Sequence, residues 1–195
     1  MLKKALEYAV IVPLLVAISG CLIESTLDAK GGGVMTLTYG VVKPEELPSV
    51  KKKMESSAVK VLSAELEGSG DKRQAVFKLQ FDDVTKLPTT QFFNNVRITR
   101  ADGSKPNTKV LTAKVKHDKP VKMPDGAADV FGKEVKVQVT LPGEVVESNA
   151  TSSSGSTVTW TWGLSQFFEQ TDLTLTATYK EPGASGTPGK TAAAK

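Results

Sequence analysis

The sequence predicts an α+β fold, a mostly antiparallel β-sheet of about eight strands packed with one main amphipathic helix. Three observations predict it. Period-two alternation of apolar and polar residues recurs along the chain, and is most regular in the β-branched and aromatic C-terminal third. A single stretch, Ser49 to Val61, shows helical spacing instead. The alternating segments are not separated by regular helices, which argues against parallel βαβ units.

The elements follow in order. Leu22 to Ala29 and Val34 to Val41 alternate on either side of Lys30-Gly31-Gly32-Gly33, a hairpin pattern. Pro44 and Pro48 close that unit. From Ser49 the apolar stripe Val50, Met54, Ala58, Val61 and Leu62 predicts the helix, with Ser49 as its cap. Gly68-Ser69-Gly70 breaks the chain before a half-buried strand over Gln74 to Phe81. Residues 82–95 read as a short helix or helical turn interrupted at Pro88. Val96 to Arg100 and Lys109 to Lys116 read as strands flanking a turn at Asp102-Gly103. His117 to Gly132 is loop, on the strength of Pro120, Pro124 and Gly126. Val135 to Leu141, a short extended piece at Glu144 to Glu147, Thr157 to Trp162 and Leu173 to Tyr179 complete the strands. Residues 181–195 are Pro, Gly, Ala, Ser, Thr and Lys with little to bury, and read as a disordered polar tail.

The N-terminus carries an address. Lys3 and Lys4 precede an apolar run from Ala9 to Ile18, then Ser19-Gly20 and Cys21, the one cysteine of 195 residues. A positive region, a short apolar core and small residues at a junction form a secretory signal, and the run is well short of the ~20 residues a spanning helix needs. The pattern resembles a lipoprotein lipobox, which implies cleavage between Gly20 and Cys21 and acylation of Cys21. Two acyl chains hold a protein on a membrane stably where one does not. The division expected is a signal over 1–20, one α+β domain over 21–180 and the tail over 181–195. The location expected is the extracytoplasmic side of the envelope, on the outer membrane if there is one. With the lone cysteine acylated, no disulfide can form, so stability rests on packing.

Catalytic chemistry is hard to place. The only histidine, His117, sits in a Pro/Lys-rich loop, and hydrolytic triads need a base. One His and a lipidated Cys cannot build a zinc site, so no metal and no cofactor is expected. Asp82-Asp83 lacks the calcium-loop pattern and reads as a strand end with a capping carboxylate. Gly31-Gly32-Gly33 has no Gly-Lys-Ser/Thr after it and is no phosphate loop. Asn149-Ala150-Thr151 matches a glycosylation sequon in form and reads as loop sequence. A net charge of +4 is too small for nucleic-acid binding without exposed aromatic platforms.

Two further groups carry candidate roles. Lys51, Lys52 and Lys53 could contact anionic headgroups, at about 1 kcal/mol per residue near a charged surface; the plainer reading is a solvated helix face. Trp160 and Trp162 share one strand face and could line an apolar ligand site; the plainer reading is core. Phe167 and Phe168 follow closely and could extend the same cluster.

Gly20-Cys21-Leu22 leading into an alternating strand and glycine turn, Leu141-Pro142-Gly143-Glu144-Val145-Val146-Glu147-Ser148-Asn149, and Gly155-Ser156-Thr157-Val158-Thr159-Trp160-Thr161-Trp162 before a Leu-Thr-Leu-Thr-Ala-Thr strand together resemble bacterial lipoproteins of the LppM-domain family. The resemblance runs from about Cys21 to Tyr179. It implies an α+β domain displayed at the cell envelope, discussed for some members as a binder of lipids or glycolipids, and it brings no catalytic residues. Several members carry a C-terminal transmembrane segment, whereas this chain ends in a polar tail. Two functions stay open: a non-enzymatic, lipid-anchored lipoprotein whose domain binds a lipid, glycolipid or other envelope component, and a structural or accessory subunit of an envelope assembly. An envelope enzyme lacks a visible set of reacting groups. The membrane is the expected partner, through the anchor, with protein partners unspecified and nucleic acid excluded.

Overall fold

The computed structural model describes residues 20–40, 43–69, 73–117, 119–123, 125–128 and 132–182. The leader up to Ser19 and the tail from residue 183 lie outside them. The expected α+β arrangement holds in coarse outline, with three corrections. The described residues hold eleven strands rather than about eight, these divide between two sheets rather than one, and helix is a minor component.

The first sheet is built from β1 (Gly20–Leu27), β2 (Gly33–Gly40), β3 (Val59–Glu67), β4 (Gln74–Phe81), β7 (Glu134–Thr140), β9 (Ser152–Ser154) and β10 (Thr157–Gly163). The second holds β5 (Val96–Asp102), β6 (Thr108–Lys116), β8 (Val145–Ser148) and β11 (Asp172–Lys180). The order is β3-β4-β2-β1-β7-β10-β9 in the first and β5-β6-β11-β8 in the second. All pairings are antiparallel except β1 with β7, which runs parallel from Gly20↔Glu134 to Thr26↔Thr140.

The predicted β1–β2 hairpin is present. Asp28 shapes its turn, its Oδ1 accepting from the amides of Lys30 at 2.8 Å and Gly32 at 3.0 Å. Gly31 takes φ +96°, a conformation that favours glycine. Gly33 packs so close that a Cβ there would fall 2.0 Å from the Thr26 carbonyl oxygen. The hairpin lies in the middle of the larger sheet, with β4 on one side and β7 on the other.

The helix predicted over Ser49 to Val61 is corrected. Helix α1 covers only Leu47–Lys53 and buries no residue fully. A turn at Ser56–Ala58 follows, and Val59 opens β3. The stripe that suggested a helix is split: Val50 lies in α1, Met54 is its wholly buried C-cap, Ala58 stands in the turn, and Val61 and Leu62 belong to β3. Pairing along β4, from Val59↔Phe81 to Glu67↔Gln74, outweighs local spacing, and a bulge between Val61 and Ser63 shifts the alternation that would have announced a strand.

Between β4 and β5 the expected helical turn appears as a 3-10 helix over Val84–Thr89, containing Pro88. Asp83 caps it, its Oδ1 accepting from the Thr85 amide at 2.8 Å, the capping role expected at this strand end. A short helix α2 (Leu164–Glu169) joins β10 to β11.

The main core fills the space between the sheets, with Leu37, Phe77, Leu79, Val158, Leu175 and Tyr179 among its buried members. A satellite cluster of Ala127, Val135 and Leu164 sits beyond it, against Cys21, Met123, Phe167 and Phe168. Tyr179 is fully buried, and its hydroxyl accepts from Arg100 Nε at 2.6 Å. Arg100 Nη2 also donates to the Ala29 carbonyl, 2.5 Å away, tying β5 to the first hairpin.

Candidate functional site

The two inward faces do not close completely. They leave a cavity of about 120 Å³. Its floor on the first sheet is Ile23, Ser25 and Leu27 of β1, Val137 and Val139 of β7, and Trp160 of β10. Its roof on the second is Val96 and Ile98 of β5, Leu111, Ala113 and Val115 of β6, and Leu175 of β11. Val84, Leu87 and Phe93, from the segment between β4 and β5, close one side. Ser25 is the single polar side chain in this lining.

Strand register explains the chemistry of the wall. Residues two apart share a face, so Ile23, Ser25 and Leu27 all point inward, opposite Val137 and Val139 in the Ile23↔Val137 and Ser25↔Val139 pairs. Trp160 pairs with Val137 and so joins the same floor. On the roof, Val96↔Val115 and Ile98↔Ala113 are cross-strand pairs.

Exposure along the cavity is graded. Leu27, Met35, Val139, Leu111 and Leu175 are buried. Ile23, Val137, Val96, Ile98, Ala113 and Val115 are only half-buried. The half-buried set lies toward the end of the sandwich where β1 starts and β6 finishes, and the mouth opens there on the β1 side, because Val135 at the start of β7 is buried under the satellite cluster.

A void costs roughly 24 cal/mol per Å³, so this one forgoes about 3 kcal/mol of packing. An all-apolar cavity of ~150 Å³ stays dry and takes up a molecule of benzene size. The space therefore suits a short length of hydrocarbon, and the absence of charge in its wall gives a polar headgroup no place inside.

The sequence-predicted residues fall as follows. Trp160 is both core and cavity wall, and its Nε1 donates to Asn149 Oδ1 at 2.9 Å. Trp162 lies outside the cavity, half-buried, with its ring 5.7 Å from that of Phe167. Phe167 and Phe168 do extend the cluster, 5.3 Å apart edge to face. His117 is half-buried rather than a free loop residue: it stacks on Phe168, and its Nδ1 lies 2.6 Å from the Gln170 carbonyl oxygen. Lys51, Lys52 and Lys53 are exposed in the last turn of α1, where cations favour the helix C-terminus, and they lie away from the cavity wall. Asn149 is engaged structurally, its Nδ2 donating to the Thr174 carbonyl at 2.7 Å.

Cys21 is the second residue of β1, paired with Val135, and half-buried against the satellite cluster. Burial pushes its thiol above the ordinary value, against a smaller downward pull from a backbone hydrogen bond at Gly40. In this setting it is a packed neutral thiol rather than a nucleophile. Among the described residues no cluster of three His, Cys, Asp or Glu could hold a metal, and no helix is long and apolar enough to cross a membrane. The cavity itself was invisible in sequence, because its wall is assembled from strands far apart in the chain; only Trp160 was flagged beforehand.

The LppM domain model matches residues 41–180. The chain belongs to the LppM-domain family. The match begins after the first hairpin, although β1 and β2 form the centre of the larger sheet and supply part of the cavity floor. Among solved structures, the NMR structure of the folded domain of Mycobacterium tuberculosis LppM is similar at 14% identity and a TM-score of 0.45, covering 82% of this chain and 88% of that one. No curated protein matches.

Proposed function

We propose that this protein is a non-enzymatic envelope lipoprotein, held to the membrane through Cys21, whose LppM domain takes the end of an aliphatic chain into the cavity between its sheets. The observation that carries the reading is the wall. A space of about 120 Å³ with one hydroxyl in its lining discriminates for hydrocarbon and against anything charged. The headgroup of such a ligand stays at the mouth, so the domain selects by chain rather than by head.

Anchoring and folding must be ordered in time. Cys21 lies in a hydrogen-bonded strand in the middle of a sheet, so acylation has to precede the closing of β1 onto β2 and β7. A Cys21→Ala chain is expected to stop as an uncut precursor and to leave the lipid-modified pool. Labelling cells with a fatty-acid probe checks this, and equal labelling of variant and parent refutes the anchor.

Ala113 tests the cavity. It is a small residue in the roof, facing Ile98 across the strand pair. Ala113→Leu is expected to fold with unchanged or ~1 kcal/mol higher stability, since it fills space now empty. It should also bind cis-parinaric acid at least tenfold more weakly than the parent. Lipid extraction and mass spectrometry of the native protein should return an acyl lipid. Equal parinaric acid affinity in the two chains, or a native protein that yields no lipid, rules the reading out.

A further inference from the structure

The place where the chain enters the fold coincides with the cavity mouth and with an aromatic rim. The apolar leader run Ala9 to Ile18 ends just before Gly20, and Gly20 is already the first residue of β1. No tether separates the membrane-attached end from the sheet. Since β1 is paired on both sides, its start cannot swing free without breaking the β2 and β7 ladders.

Across that end of the sheet runs a row of side chains on four adjacent strands. Tyr39 of β2 stands one step beyond the Leu22↔Thr38 pair, beside Cys21. Cys21 pairs with Val135 of β7, and Val135 pairs with Trp162 of β10. All four face the same way, and the next row inward, through Ile23 and Val137, is the mouth of the cavity. The row is extended at both ends. Tyr39, 38% exposed, lies 6.0 Å from the Phe92 ring. Trp162 leads to Phe167, Phe168 and His117, and Val121, 46% exposed, hydrogen-bonds to the Phe168 carbonyl. Tyr and Trp at the boundary of apolar and polar media favour the membrane interface.

We infer that the end of the domain rimmed by Tyr39, Trp162 and α2, with Cys21 half-buried between them and Val135 covered by the satellite cluster, rests flat on the bilayer, so that the cavity mouth opens onto the lipid and a chain end enters without crossing water. This rests on anchoring at Cys21. Charge does not hold the face down, because exposed Lys116, Lys119, Lys122 and Lys133 share this end with Asp125, Glu134, Glu169 and Asp172. Docking is therefore apolar and indifferent to headgroup charge.

The chain has two tryptophans, so each serves as a reporter once the other is changed to phenylalanine. The full lipidated protein is placed in phosphatidylcholine vesicles whose acyl chains are brominated near the headgroup. Trp162 fluorescence in the Trp160→Phe chain is expected to fall at least twofold relative to unbrominated vesicles, and equally so when a third of the lipid is phosphatidylglycerol. Inserting ten Gly/Ser residues between Cys21 and Leu22 should abolish the quenching while the protein still floats with the vesicles. Flotation with unquenched Trp162, or quenching untouched by the insertion, overturns the docked orientation and leaves the cavity reading intact. Protein that does not float overturns the anchor and the docking together. Parinaric acid binding in detergent reports on the cavity independently of both.

Discussion

A Phe77→Ala chain is expected to lose 3–5 kcal/mol of stability, the range for a large aromatic removed from a closed core. Phe77 lies at the middle of β4, between Leu37 of β2 and Ala64 of β3, and is 0% exposed. This half of the larger sheet is covered by Met54, just after α1, and by Val84, Leu87 and Phe93 of the 82–95 segment. Such short pieces are tied down by a few bonds, among them the Phe92 amide to the Lys53 carbonyl at 3.0 Å and Thr89 Oγ1 to Ser56 Oγ at 2.9 Å. They can sink only so far into the gap, so most of the cost should remain. Phe77→Leu keeps most of the volume and should cost about 1.5 kcal/mol or less. Urea unfolding with an unchanged slope measures both. A loss below about 1.5 kcal/mol for the alanine variant means the cover collapses onto the sheet, and that this layer is soft. With total stabilities of roughly 5–15 kcal/mol and no disulfide on the described cysteine, the full loss leaves a marginal domain.

What the sequence disclosed follows a physical line. Where a strand has one buried face and one wet face, period two is written in the residues, as in Gln74 to Phe81 and Leu173 to Tyr179, and those strands stand where expected. The hairpin turn and the Asp83 cap were legible because they depend on neighbours within a few residues. The helix was overextended because a bulge in β3 mimics helical spacing, and only pairing with β4 discriminates. The division into two sheets was illegible for a different reason: β1 meets β7 more than a hundred residues later, and alternation says which face is apolar but not which partner it faces. The cavity inherits that blindness. Its wall residues read as ordinary core one strand at a time, and only their incomplete meeting makes a space. The rim was half legible: Trp162, Phe167 and Phe168 stood out as a cluster, whereas Tyr39 joined the row only through register.

The other large effect is expected at Asn149, a residue that sequence alone would assign to a loop. Its side chain makes three hydrogen bonds. Oδ1 accepts from Trp160 Nε1 at 2.9 Å and from the Thr176 amide at 2.8 Å, and Nδ2 donates to the Thr174 carbonyl at 2.7 Å. Its own amide donates to the Thr176 carbonyl at 3.1 Å. One side chain thus joins the cavity-lining tryptophan of the first sheet to β11 of the second. Asn149→Ala strands the indole N–H of a buried Trp160 and two backbone groups of β11. At 1–3 kcal/mol for a buried group left unpaired, with the two backbone partners discounted because water reaches them, the loss should be about 2–4 kcal/mol. Asn149→Asp keeps the acceptor for Trp160 and Thr176 but turns an oxygen toward the Thr174 carbonyl, and should fall between parent and alanine. Trp160→Phe removes the donor along with the need for an acceptor, so in that background Asn149→Ala should cost at least 1 kcal/mol less. Additive losses in the double variant mean that the bond to the indole contributes nothing, and that Trp160 is held in the cavity floor by packing alone. Non-additivity makes Asn149 the clasp that fixes the gap between the sheets, and with it the width of the space a hydrocarbon chain can enter.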